Sequence, residues 1–94
     1  MILVGKRALA EFARDHASAR EAIAAWTLEV ESASWRTPTD IKARYASASF
    51  VGNNRVVFNL KGNQFRLDVQ VNYPTQTVLV HRIGTHAEYD SWTF

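Results

Sequence analysis

The chain has 94 residues and a mass of 10.6 kDa, enough for one domain over residues 1–94 and too few for two with separate cores. Its composition, 47% hydrophobic and 21% charged, is that of a packed globular protein, and 11 Lys and Arg against 9 acids leave a net charge of +2. The absence of cysteine excludes a disulfide framework, a zinc ribbon and a thiol nucleophile, and no apolar run approaches the ~20 residues of a membrane span.

Ile2-Leu3-Val4 reads as a short edge strand. Gly5-Lys6-Arg7 follows at once, so the start lacks the long apolar stretch of a secretion signal, and a cytoplasmic location is expected. Residues 6–16 place Leu9, Phe12, Ala13 and His16 on one helical stripe, with Lys6, Arg7, Glu11, Arg14 and Asp15 off it. Ser18 with Glu21 three residues on is a capping-box signature, and the helix it opens carries Ile23, Trp26, Val30 and Ala33 on one stripe. Two amphipathic helices joined near Ala17 make a hairpin with a shared apolar seam. Thr37-Pro38-Thr39-Asp40 is a second helix start, with Pro38 at the first helical position, and its short helix should end near Tyr45.

From Ser47 onward the period becomes two. Arg55 to Lys61 and Gln64 to Tyr73 each alternate apolar and polar residues around Gly62-Asn63, a two-residue hairpin signal. Lys61 opposite Gln64 fixes the register: Leu60 meets Phe65, Phe58 meets Leu67 and Val56 meets Val69. On the other face Asn59 meets Arg66 and Arg55 meets Gln70, and Lys61 becomes a diagonal neighbour of Arg66 at ~7–8 Å. A three-residue turn, Pro74-Thr75-Gln76, leads into a third strand, Thr77 to Gly84. There Val71, Val69 and Leu67 would face Leu79, His81 and Ile83, and Asp68 would meet Arg82. The same parity brings His86 near Gln64 and Arg66, and it leaves His81 and His16 on apolar faces in structural roles. The fold class expected is α+β: a short N-terminal strand and a helical hairpin packed on one face of an antiparallel sheet of three to four strands.

Net charge conceals an uneven distribution. Between Ile41 and Leu67 lie Lys42, Arg44, Arg55, Lys61 and Arg66 and no acid, a pattern suited to a phosphate-bearing partner. Lys61, Arg66 and the segment Gly84-Thr85-His86-Ala87-Glu88-Tyr89-Asp90 converge in the register above. Cations, an imidazole and a phenol suffice to cleave an RNA phosphodiester. A base takes the ribose 2′-OH proton, cations stabilise the phosphorane, and an acid protonates the leaving 5′-oxygen. His86, Glu88 and Asp90 lack the second histidine and the spacing of a metal site, so neither metal nor other cofactor is expected.

The run Ala48-Ser49-Phe50-Val51-Gly52-Asn53-Asn54-Arg55-Val56-Val57-Phe58-Asn59-Leu60-Lys61-Gly62-Asn63-Gln64-Phe65-Arg66-Leu67 resembles the HigB family of bacterial toxins, as does Gly84 to Asp90. Weaker likeness extends through Trp35-Arg36-Thr37-Pro38 and the Ala8-Leu9 helix. The resemblance implies a RelE-like fold and an endoribonuclease that cleaves mRNA during translation on the ribosome and stops growth. It also implies a cognate HigA-type helix-turn-helix antitoxin. By position it makes His86 and Tyr89 catalytic candidates and Arg55, Lys61 and Arg66 RNA-contacting cations, with Lys61 and Arg66 also serving the reacting phosphate. Lys42 and Arg44, from the basic segment, complete the RNA-binding candidates. The alternative is a noncatalytic module on the RelE/ParE scaffold that blocks a protein or nucleic-acid target through its cationic sheet face. The ending Ser91-Trp92-Thr93-Phe94 departs from the family pattern and leaves open whether Trp92 and Phe94 close the core or stack on a base.

Overall fold

A computed structural model describes residues 1–94. In chain order it contains β1 (Ile2–Val4), α1 (Lys6–Asp15), a 3-10 turn (Ala17–Ala19), α2 (Arg20–Ser32), α3 (Pro38–Arg44), β2 (Ser49–Phe50), β3 (Arg55–Leu60), β4 (Phe65–Asn72), β5 (Thr77–Thr85) and α4 (His86–Tyr89). The five strands form one sheet in the order β1-β5-β4-β3-β2. This corrects the expected three to four strands: Ser49 and Phe50 add an edge strand against Val57 and Val56. β1 also runs parallel to β5, whereas the other pairs are antiparallel.

β1 turns into α1 at Gly5, whose φ of 95° and Cβ position only 3.0 Å from Val80 Cβ exclude a side chain. Leu9 of α1 and Ile23, Trp26 and Val30 of α2 are buried, as their helical stripes predict. The capping box expected from Ser18 and Glu21 does not form. Ser18 lies inside the 3-10 turn that runs directly into α2, and no side chain caps that helix. α3 begins as expected, with Pro38 in its first turn and the Asp40 carboxylate accepting from the N–H groups of Arg36 and Thr37 at 2.9 and 3.3 Å.

The β3–β4 register agrees with expectation at every pair, from Arg55 opposite Gln70 to Leu60 opposite Phe65. The turn differs in detail: positive φ falls on Lys61 (51°) and Gly62 (64°), so the lysine shares the turn's left-handed backbone. The β4–β5 pairing is a correction. Thr77 pairs with Asn72, not Tyr73, so Val78 and Val80 face Val71 and Val69. A bulge between Asp68 and Val69 then absorbs one extra residue of β5, His81, and restores the expected pairs Asp68–Arg82 and Leu67–Ile83. His81 therefore leaves the apolar face and is exposed.

Helices and sheet enclose one apolar cluster of 18 buried residues. Trp26 meets Phe58 edge-on at 5.4 Å, and Trp35, at the end of the helical layer, stacks on Phe58 at 6.1 Å. Phe65 closes the end of this core nearest α4, packing edge-on against Phe12 at 5.6 Å. The opposite face of the sheet is left for charge.

Candidate active site

Two buried charges sit on that outer face, and they are treated differently. Asp68 is wholly buried and binds both neighbouring arginines. Arg55 forks onto it, Nε donating to Oδ1 at 2.9 Å and Nη2 to Oδ2 at a shorter distance, while Arg82 Nε donates to Oδ2 at 2.9 Å. The carboxylate in turn raises the Arg55 pKa above its ordinary value. The chain end covers this triad. Arg82 donates to the Thr93 carbonyl at 2.9 Å and stacks under the rings of Trp92 and Phe94 at 4.5 and 5.0 Å, and Arg55 lies 5.5 Å from the Phe94 ring.

Arg66, next to Asp68 on the same face of β4, is 7% exposed and forms no ion pair. Its Nη1 donates to the Asn63 carbonyl at 2.8 Å, its Nη2 to His86 Nδ1 at 2.8 Å, and its guanidinium lies 5.2 Å from the Tyr89 ring. Arginine can only donate, so Nδ1 of His86 accepts and the neutral ring carries its proton on Nε2. Of the expected convergence, His86, Tyr89 and Arg66 are brought together and Lys61 is not, because it sits in the left-handed hairpin turn on the side of the helices.

Backbone pairing sets the imidazole at this spot. His86 N–H donates to the Gln64 carbonyl at 3.0 Å, continuing the β4–β5 ladder by one bond before α4 begins. Thr85 and Glu88 cap that helix reciprocally: Glu88 N–H donates to Thr85 Oγ1 at 3.2 Å, and Thr85 N–H donates to Glu88 Oε1 at 2.9 Å. The bond from the Thr85 backbone, followed by that with its side chain, holds the Glu88 carboxyl below the usual carboxylate range. Glu88 thus serves as a cap. His16, placed by sequence in a structural role, stacks on Phe12 at 3.9 Å and lies edge-on to Phe65 at 6.1 Å.

The other sequence candidates are dispersed. Lys61 is exposed in the hairpin turn and borders a groove with Ser18, Arg20 and Glu21, on the side of the helices. Arg55 is engaged by Asp68. Arg44 Nε pairs with Glu29 at 2.5 Å and the guanidinium covers the Tyr45 ring at 4.8 Å, while Lys42 Nζ donates to the Ala48 carbonyl at 2.8 Å. Sequence reasoning missed the Arg55–Asp68 fork, although its signal was available. Gln70 opposes Arg55, which makes Asp68 its diagonal neighbour.

A five-stranded mixed sheet with a helical hairpin on one face is the build of a RelE-like toxin. Within that class, residues 19–92 match the model of the HigB toxin, the RelE-like toxic component of a toxin-antitoxin system, and the chain belongs to that family. Such a toxin has an antitoxin as its partner. No match is found among curated proteins. No helix of the chain is long and apolar enough to cross a membrane.

Proposed function

We propose that the protein is a metal-independent endoribonuclease that cleaves mRNA during translation, in the cytoplasm, and is neutralised by a HigA-type helix-turn-helix antitoxin. The observation that carries this is the 2.8 Å contact between His86 Nδ1 and a buried arginine that has no carboxylate. In the free protein Arg66 and His86 occupy each other. A phosphodiester seated on Arg66 draws Nη2 toward its own oxygens, because a charge-assisted bond to phosphate is stronger than one to a neutral ring. The Nδ1 lone pair is then free to take the 2′-OH proton. The 2′-oxygen attacks phosphorus, Arg66 stabilises the phosphorane, and the Tyr89 hydroxyl protonates the departing 5′-oxygen. Lys61, on the turn beyond Asn63, holds a flanking phosphate, not the reacting one.

His86→Ala removes the base, and its rate of mRNA cleavage on translating ribosomes should fall about 100-fold or more. New mRNA ends would be mapped for wild type and variant, with and without EDTA. Wild-type cleavage by the variant would remove His86 from the mechanism, and loss of wild-type cleavage with EDTA would remove its metal independence. Growth arrest with no new ends would instead favour the noncatalytic binding module. That alternative has less charge to work with, since Arg55 and Arg82 are both held by Asp68.

A further inference from the structure

α4 carries the candidate base and acid, yet it has four residues and none of them is buried. An isolated helix so short does not persist in water. Its reciprocal cap fixes where it starts, but a cap does not fix how the turn lies on the sheet. The outer face does. Gly84, directly opposite Arg66 in the β4–β5 ladder, is buried, and a Cβ there would fall 2.9 Å from Trp92 Cζ2 and 3.2 Å from Glu88 Cβ. The indole therefore occupies the space that a side chain at residue 84 would take, immediately behind the guanidinium strand. On one side it rests on Arg82 at 4.5 Å, which is itself anchored by the wholly buried Asp68. On another it meets the Tyr89 ring edge-on at 5.6 Å. Trp92 N–H also donates to the Tyr89 carbonyl at 3.0 Å, which closes the helix onto the indole.

We propose that Trp92 is a positioning residue: seated in the gap left by Gly84 and stacked on the Asp68-bound Arg82, it holds α4 so that His86 and Tyr89 stay against Arg66. The proposal deepens the nuclease function above and rests on it. Trp92 touches none of the three reacting groups except the edge of Tyr89, so its effect runs through the pose of α4.

Trp92→Ala, Gly84→Ala and the double variant would be compared with wild type for kcat and KM on mRNA, for thermal midpoint, and for the ¹⁵N signals of the His86 ring. Loss of the indole should lower kcat about ten- to a hundredfold with KM within about twofold, the scale of a misplaced catalytic group. Gly84→Ala should do the same by displacing the indole, and the double variant should be no worse than Trp92→Ala alone, because the closest clash then has no partner and Glu88 Cβ, the next at 3.2 Å, can give way into the space the indole leaves. The His86 ring of wild type should show Nδ1 as acceptor and Nε2 protonated, and Trp92→Ala should mix the two tautomers. A lowered midpoint with unchanged kcat and unchanged imidazole signals would overturn the proposal. Additive losses in the double variant would do so as well. Should Trp92→Ala fail to fold, Gly84→Ala decides by the same readouts. If wild type cleaves no RNA, the nuclease function fails while the imidazole spectrum still decides the role of Trp92.

Discussion

Asp68 and Arg66 are neighbours but one in sequence, both buried on the outer face of β4, and opposite in circumstance. Asp68 spends both carboxylate oxygens on two guanidiniums, so three charges share one site with one positive charge left over. Removing the carboxylate leaves two arginines facing each other beside a buried Val57, with no anion to balance them. Breaking a buried pair in this way costs about 3–5 kcal/mol, more than the pair adds over an apolar replacement. Asp68→Asn should therefore lower stability by about 3–5 kcal/mol in urea denaturation, seen as a lower midpoint at constant m. A midpoint close to wild type would mean that the triad is held by the covering tail and not by the carboxylate. Arg66 has the reverse design. Its donors are spent on a carbonyl and an imidazole, bonds that a phosphate can replace, and this is why the nuclease proposal is placed there.

At the scale of elements, α2 and α3 are joined by a small polar clamp. Glu29 of α2 accepts from the Tyr45 hydroxyl at 2.7 Å and from Arg44 Nε at 2.5 Å, and these bonds, the tyrosine's first, hold its carboxyl below the ordinary value. A carboxyl depressed in the folded state stabilises the fold above the unfolded pKa, and that stability disappears as pH falls through the folded value. Tyr45 behaves in the complementary sense: burial first, then the bond to Glu29, pushes its phenol up, so its share is present below the ordinary phenol pKa and lost in strong alkali. Tyr45→Phe deletes the largest cause of the Glu29 shift. The fall in urea midpoint between about pH 6 and about pH 3 should then be smaller in Tyr45→Phe than in wild type, and an equal fall would place the acid sensitivity elsewhere. Elements themselves were legible in the sequence wherever a period was long enough to fix a face. The β3–β4 register followed from alternation and a glycine turn because a slip of one residue would have buried Arg66 and Asp68 in the apolar cluster. The β4–β5 register was half legible for the opposite reason. No continuous alternation satisfies both Val78 and Val80 against the core and Arg82 against Asp68, and the chain resolves the conflict by extruding His81. Local pattern fixes each half, and only the packed sheet shows where the extra residue goes.

On the whole molecule, one face of the sheet is closed by helices and, on the other, the chain end covers Arg55 and Arg82, so the candidate site lies at the end of the central strands and not on a broad charged surface. The site was legible in part, because strand parity alone carried His86 to Arg66. The state of the cations was not, because pairing depends on contacts that cross the fold, Arg44 to Glu29 and Arg55 to Asp68, and a count of charge along the sequence is blind to them. This distinction is measurable through counterion release, since each phosphate neutralised on single-stranded RNA contributes about −0.7 to the slope of log K against log salt. Five free cations between Ile41 and Leu67 would give a slope of about −3.5. Arg44 and Arg55 are neutralised by carboxylates, whereas Lys42 is held only by a carbonyl, which leaves Lys42, Lys61 and Arg66 for the strand and a slope of about −2.1. Titrations of a short noncleavable RNA, with the 2′-OH removed at the scissile position and the salt varied at constant pH, would read this directly. Asp68→Asn removes one negative charge and so frees one net positive charge from Arg55 and Arg82; it should steepen the slope toward that of four contacts, about −2.8, even as it destabilises the fold. A wild-type slope already near −3.5 would mean that RNA draws the arginines from Glu29 and Asp68, and that the outer face opens to admit it.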